Sequence, residues 1–108
     1  MKLNFAVKAL AALAQETRLS LFRLLVQAGE AGLSAGQIAK ELNIPNATLS
    51  FHLKELTHAD LITARQESRF IYYAANFSAM NELLAFLTEN CCAGTPCGTE
   101  TLCCKEEP

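Results

Sequence analysis

The sequence predicts a mainly α-helical fold with one β-hairpin, arranged as a winged helix-turn-helix. Apolar residues recur every three or four positions over most of the chain, as on helices that bury one face. Only the stretch after Asp60 changes to strand-like residues around a short polar segment. With 108 residues, of which 51% are hydrophobic, the chain has room for one compact domain with a core. A two-domain enzyme is therefore not expected.

The first two predicted helices lie close together in the N-terminal part of the chain. The first, about residues 3–14, has an apolar stripe at helical spacing, formed by Leu3, Val7, Leu10 and Leu13. The second runs from about Thr17 to Ala28, where Gly29 provides a C-terminal stop. Its many leucines predict a deeply buried helix.

Two short helices separated by about three residues follow. Ser34 and Gln37 have the spacing of a capping box, which opens the first of them. Residues 43–45 interrupt the pattern, and residue 45 or 46 opens the next helix, which runs to about Thr57. Two helices connected in this way predict a helix-turn-helix.

A β-hairpin and a last helix complete the predicted domain. Strands are expected at Leu61–Arg65 and Phe70–Tyr73, separated by the polar residues 66–69. Ser78 is expected to cap a final helix that ends at about Asn90. We therefore divide the chain into a winged helix-turn-helix domain for DNA binding and dimerisation, residues 1–90, and a cysteine-rich C-terminal tail, residues 91–108.

Charge is distributed unevenly along the chain, whose formal net charge is −2. Residues 1–77 hold eight Lys and Arg against six Asp and Glu, whereas residues 78–108 hold one Lys against five Glu. Residues 1–77 thus carry a small positive net charge that is compatible with nucleic-acid binding, although the whole chain is acidic. The sequence has no uncharged apolar run near the roughly 20 residues that span a bilayer, and no signal peptide is recognisable. We expect a cytoplasmic protein without membrane contact.

Polar side chains on the second helix of the helix-turn-helix are candidates for contact with DNA. Thr, Ser, His and Lys side chains reach base edges or phosphates, and an outward Phe can contact a thymine methyl group. Two arginines near the hairpin tip are candidates for phosphate or minor-groove contacts, although Glu67 opposes them. An ordinary solvated helix and hairpin are the alternative. The predicted DNA-binding residues are Asn46, Thr48, Ser50, Phe51, His52, Lys54, Arg65 and Arg69.

All five cysteines lie in the last 18 residues, which predicts metal or redox chemistry in a reducing compartment. Cys91 and Cys92 are adjacent and diverge on a helix, so a third thiol must fold back to complete a site. The intervening Gly94, Thr95 and Pro96 allow that turn, and Cys91, Cys92 and Cys97 form the candidate site for one thiophilic ion. Incidental thiols and a redox-sensing disulfide remain alternatives, and the role of Cys103 and Cys104 stays open.

The other motifs that would point to catalysis or to a different metal site are missing. The sequence contains no G-x-S-x-G, no phosphate-binding loop and no H-E-x-x-H. His52 and His58 are expected to be DNA-facing or surface residues rather than metal ligands. We therefore expect no enzyme and no catalytic cofactor.

Two segments carry a resemblance to a known family. Residues Ala12–Leu19, and the Ser-x-His-Leu-x-x-Leu motif that begins at Ser50, resemble the arsenic-repressor (ArsR/SmtB) family of bacterial winged-helix repressors. The resemblance covers about residues 5–90. The segment Asn90–Cys97 resembles the subgroup whose arsenite site follows the last helix. The Cys-x-Cys-x-x-Cys site of other arsenic sensors is absent from residues 34–42, and the carboxylate and histidine pattern of zinc sensors is absent from the last helix.

The resemblance implies a homodimeric repressor that binds double-stranded operator DNA and releases it when arsenite or antimonite binds Cys91, Cys92 and Cys97. The first and last helices are more apolar than one protomer's core requires, so they are the predicted dimer surface. Alternatives are a repressor of the same fold that senses cadmium, zinc or thiol oxidation, a thiol-dependent reductase, and a metal-buffering protein without an operator.

Overall fold

The structure, a computed structural model, describes residues 1–94 and confirms the mainly helical winged helix-turn-helix. None of the helices in this range is long and apolar enough to cross a membrane. In chain order the elements are α1 (Leu3–Leu13), α2 (Glu16–Ala28), β1 (Leu33–Ser34), α3 (Ala35–Leu42), α4 (Asn46–His58), β2 (Ile62–Glu67), β3 (Phe70–Ala75) and α5 (Phe77–Leu87), followed by a 3-10 turn (Cys91–Gly94).

The core forms around α2, as the sequence predicts. Leu21 and Leu25 of this helix are fully buried, together with Ile38 from α3, Leu56 from α4 and Leu61 from the loop after α4. Gly29 ends α2 with a positive φ of 78°, a backbone conformation that glycine adopts without a steric penalty. Leu19 is an exception on α2, because its side chain is 44% exposed.

The helix-turn-helix is built from local capping. Ser34 Oγ accepts a hydrogen bond from the Gln37 backbone N–H at 3.3 Å, and Gln37 Oε1 accepts one from the Ser34 N–H at 2.9 Å. This reciprocal pair is the predicted capping box. Asn43 then closes α3 in the left-handed conformation, and Pro45 precedes the first turn of α4. The two helices thus begin and end where the sequence indicates.

The hairpin belongs to a three-stranded antiparallel sheet with the order β1-β3-β2. Strand β1, which the sequence did not predict, pairs Leu33 with Tyr73 and Ser34 with Tyr72. Strands β2 and β3 form the wing and pair from Ile62–Ala75 to Glu67–Phe70. The turn is therefore only Ser68 and Arg69, shorter than the predicted four residues. Ser68 adopts a positive φ of 61° there.

The last helix differs from its prediction at both ends. Its N-cap is Asn76, whose Oδ1 accepts a hydrogen bond from the Ala79 N–H at 3.2 Å, so Ser78 lies inside the first turn. Asn76 also donates through Nδ2 to the Asp60 carbonyl oxygen at 3.0 Å, which ties the start of α5 to the end of α4. The helix ends at Leu87 rather than at Asn90.

Candidate nucleic-acid interface

Helix α4 presents one apolar face to the core and one polar face to solvent. Leu49, Leu53 and Leu56 are buried and fix the orientation of the helix. Five of the predicted DNA-binding residues lie on the exposed face: Asn46, Thr48, Ser50, Phe51 and Lys54. Phe51 is 57% exposed in the middle of this polar face. The face offers hydroxyl, amide, ammonium and aromatic groups, the chemistry that reads base edges and phosphates.

His52 does not lie at the edge of this exposed face, and the expectation of a surface position for it is wrong. Its side chain is buried, with 7% relative exposure. The reason is helical geometry: residue 52 is three positions after Leu49 and four before Leu56, which places it on their face. Its contact with DNA stays a prediction, and its burial disfavours that contact.

The partner of His52 inside the protein is Arg18 of α2. Arg18 Nη1 lies 3.4 Å from His52 Nδ1, and Arg18 Nε donates a hydrogen bond to the Ala12 carbonyl oxygen at 2.7 Å. Burial lowers the pKa of the His52 imidazole, the Arg18 charge lowers it further, and Glu55 raises it. Sequence analysis assigned no role to Arg18, and its one signal was its place in the segment that carries the family resemblance.

The two arginines of the wing differ in their surroundings. Arg65 is engaged within the protein, since its Nε donates to Glu67 Oε2 at 2.7 Å and its Nη2 donates to the Ala31 carbonyl oxygen at 3.1 Å. Its guanidinium also lies 5.3 Å from the centroid of the Tyr72 ring. Arg69 lies in the two-residue turn at the tip and is exposed. Arg69 is therefore better placed than Arg65 to reach a phosphate.

A groove between α4 and the wing brings the two parts of the candidate interface together. Ser50, Lys54 and His58 line its helical side, and Ala64 and Tyr73 line its strand side. Two of the predicted residues, Ser50 and Lys54, thus lie beside the wing. A DNA backbone that follows this groove would meet a hydroxyl and an ammonium group at once.

Two of the three predicted sensor cysteines belong to the 3-10 turn that begins four residues after the end of α5. Cys91 begins the 3-10 turn, its backbone N–H donates to the Thr88 carbonyl oxygen at 3.0 Å, and Cys92 follows. Cys97 lies outside the described residues, as do Cys103 and Cys104. Among residues 1–94, no three His, Cys, Asp or Glu side chains are grouped closely enough to hold a metal ion. The predicted three-thiolate site is therefore untested.

Comparison with known sequences places the domain among bacterial regulators. Residues 13–65 match a family model described as a helix-turn-helix domain. The transcriptional repressor SdpR of Bacillus subtilis is 30% identical over 76 residues, which are 70% of this chain and 81% of SdpR. The uncharacterized HTH-type regulator YceK of the same organism is 39% identical over 61 residues, 56% of this chain and 60% of YceK.

Solved structures share the fold of the whole domain. An ArsR-like transcriptional regulator from Rhodococcus superposes with a TM-score of 0.71 at 27% identity, over 84% of this chain and 82% of that one. The homodimeric winged helix-turn-helix domain of Mb0332 from Mycobacterium bovis gives 0.67 at 27% identity, covering 80% and 77%. A possible transcriptional regulator for arsenical resistance gives 0.65 at 29% identity, covering 74% and 80%. The relatives are transcriptional regulators rather than enzymes, and this chain belongs to the ArsR/SmtB family of DNA-binding winged helix-turn-helix regulators.

Proposed function

We propose that this protein is a homodimeric repressor that binds operator DNA through α4 and the wing and releases it when trivalent arsenic or antimony binds cysteine thiolates. The observation that carries the DNA-binding part is the exposed polar face of α4 beside the wing. Buried leucines fix this helix against the core, so its outer face is held rigidly for contact with a major groove.

Apolar surface on the first and last helices supports the homodimer. Only alanines of α1, Ala6 and Ala9, are buried, and Leu83 is the buried residue of α5. Six larger apolar side chains of these helices are exposed in one protomer: Leu3, Phe5, Val7, Leu10, Leu84 and Leu87. Each Å² of such surface gains about 25 cal/mol when it leaves water, so a second copy that covers it is favoured. The homodimeric Mycobacterium bovis neighbour has the same fold.

The position of the cysteines supports the sensor. Soft trivalent ions favour sulfur ligands, and Cys91, Cys92 and Cys97 follow α5 within ten residues of its end in the sequence. The hydrogen bond from the Cys91 N–H to the Thr88 carbonyl links the turn directly to that helix. An ion that pulls three thiolates together there acts on a predicted dimer helix. The likeness to a possible regulator for arsenical resistance agrees with this assignment.

Release of DNA then follows from thermodynamic linkage. The ion weakens operator binding only if it binds more tightly to a dimer geometry that fits the operator poorly. A change in the packing of α1 and α5 between protomers alters the distance between the two α4 helices. Two recognition helices must match half-sites about one helical turn apart, or ~10 bp, so a small change in that distance lowers affinity.

The test is a selection of duplexes from a random-sequence pool by the full, reduced protein, followed by mobility-shift titration of the recovered sequence. We expect an imperfect inverted repeat, bound by a dimer and released by arsenite or antimonite. Recovery of no preferred sequence would contradict the proposal that the protein binds a specific operator. Release by cadmium, zinc or a thiol oxidant, without release by arsenite, would assign the same fold to a different signal.

A further inference from the structure

Arg18 connects three helices through a single guanidinium group. The residue lies in the first turn of α2, and its backbone N–H donates to Gln15 Oε1 at 2.9 Å. Its Nε donates to the carbonyl oxygen of Ala12, in the last turn of α1, and its Nη1 faces His52 Nδ1 in the middle of α4. Among residues 1–94, no other hydrogen bond between two side chains joins the helix-turn-helix to α2.

We propose that Arg18 is a positioning residue that sets the pose of the DNA-reading helix α4 against the end of α1, by donating at once to the Ala12 carbonyl and to the neutral His52 ring. The inference rests on the proposed function, because it assigns an internal link between the predicted dimer helix and the DNA-reading helix. It concerns neither the thiolate site nor any base contact.

The geometry requires a guanidinium with two separate donors. An arginine side chain has only donors, so His52 Nδ1 accepts and the proton of a neutral ring lies on Nε2. The planar fork aims Nε and Nη1 at fixed directions, which relates the Ala12 carbonyl to the His52 ring. A lysine ammonium keeps the charge but has no rigid fork. The contact therefore depends on the shape of the arginine and not only on its charge.

The protonation state of His52 decides whether the contact exists. A protonated ring would place an N–H opposite the guanidinium at 3.4 Å, which removes the acceptor and adds repulsion. The charged groups that act on the ring are Arg18 from α2 and Glu55 from α4 itself, and Lys8 from α1 and His58 from α4 line the groove beside them. Among the described residues, no charged side chain of α3 or β2 acts on the His52 pKa.

The sign of the pH effect follows from these groups. Burial, and after it the Arg18 charge, lower the pKa of His52, so states in which the ring is exposed and the contact is broken bind a proton more readily. Acidification through the ordinary histidine range therefore shifts the protein toward poses of α4 without the contact. Above that range the contact is fully present.

The experiment measures affinity for the selected duplex and for a scrambled duplex between about pH 8 and about pH 5.5, at fixed salt. The variants are Arg18→Lys, His52→Asn, Arg23→Lys and His58→Asn. The Asn oxygen of His52→Asn replaces Nδ1 as an acceptor that does not titrate. Thermal unfolding of each variant is recorded at each pH, so that loss of folding is separated from loss of pose.

For the parent, the preference for the selected over the scrambled duplex should fall at least about fivefold on acidification, and it should not fall in His52→Asn. His58→Asn changes the other histidine of α4, which lines the groove beside the wing, and its profile separates the two sites. Loss of the fall in His58→Asn but not in His52→Asn would assign the pH dependence to the groove and overturn the inference. At about pH 8, Arg18→Lys should lose about tenfold in that preference. Arg23→Lys, an equal change at an exposed position of α2, should stay within about twofold.

Two further results would overturn the inference and leave the proposed function standing. One is that the parent and His52→Asn show the same change with pH in their preference for the selected over the scrambled duplex. The other is a loss of binding to the selected duplex at every pH in His52→Asn, while Arg18→Lys binds it like the parent. That result would assign His52 to base contact. If Arg18→Lys fails to fold, the comparison of the pH profiles decides alone. A parent that prefers no duplex at all would instead refute the proposed function, and the inference with it.

Discussion

Replacement of Gly32 by Ala should detach the wing from the body of the domain. Gly32 has a φ of +72°, where a side chain costs roughly 1–2 kcal/mol. A Cβ at this position would overlap the carbonyl oxygen of Tyr73 and lie 2.8 Å from its carbonyl carbon, well inside ordinary van der Waals contact. Tyr73 is the β3 partner of Leu33, so the strand that must move is the one that holds the wing. Overpacking of this kind costs about 1–3 kcal/mol more.

Gly29→Ala is the matched control, because Gly29 has a similar φ of +78° but open space around its Cβ position. It should show the backbone cost alone. Thermal unfolding at neutral pH measures both variants, and 1 kcal/mol corresponds to about 4–8 °C in a domain of this size. We expect Gly32→Ala to unfold about 10 °C below Gly29→Ala. Equal midpoints for the two variants would refute the argument from the Tyr73 contact.

Three further changes test the DNA interface and the dimer. Ser50→Ala should cost roughly 1–3 kcal/mol on the selected duplex and nothing on a scrambled one, if the hydroxyl reads a base. Arg69→Ala should weaken binding to all duplexes and reduce the salt dependence of binding by about one phosphate contact. Arg65→Ala should mainly lower the unfolding midpoint, because the Arg65 guanidinium donates hydrogen bonds to Glu67 and to the Ala31 carbonyl. Val7→Glu, on the exposed stripe of α1, should shift sedimentation from dimer to monomer without unfolding the domain. Equal weakening of the scrambled duplex by Ser50→Ala would contradict base reading by its hydroxyl. An unchanged salt dependence for Arg69→Ala would contradict its phosphate contact, and a Val7→Glu variant that stays dimeric would contradict the α1 interface.

Helix periodicity and capping residues sufficed to predict most of the fold. The capping box at Ser34, the stop at Gly29 and the start of α4 are local features, and local sequence determines them. Strand β1 has only two residues, too few to show an alternating pattern, and its pairing with β3 is a tertiary contact. Both Asn76 and Ser78 are good capping residues, and the contact of Asn76 with the Asp60 carbonyl, 16 residues away, has no local signal in the sequence.

The candidate site shows what periodicity leaves undetermined. A stripe of leucine and valine on α1 marks an apolar face, but not whether the protomer's own core or another molecule covers it. On α4 the exposed face agreed with the helical wheel except at His52, a polar residue on the buried side. A polar side chain can lie there because Arg18 satisfies it, and that partner is 34 residues away in the sequence.

The most direct test of the central claim is the release of the selected duplex by arsenite, followed by fluorescence anisotropy for the reduced parent, Cys91→Ser, and a Cys103→Ser/Cys104→Ser double variant. All three should bind the duplex equally without arsenite, because none of the replaced cysteines is among the predicted DNA-binding residues. Arsenite should release the parent and the double variant but leave Cys91→Ser bound. The Cys91 N–H is hydrogen-bonded to the carbonyl of Thr88, the C-cap of α5, whereas Cys103 and Cys104 come farther along the sequence. Release of Cys91→Ser together with retention by the double variant would contradict the account and move the sensor to the end of the tail.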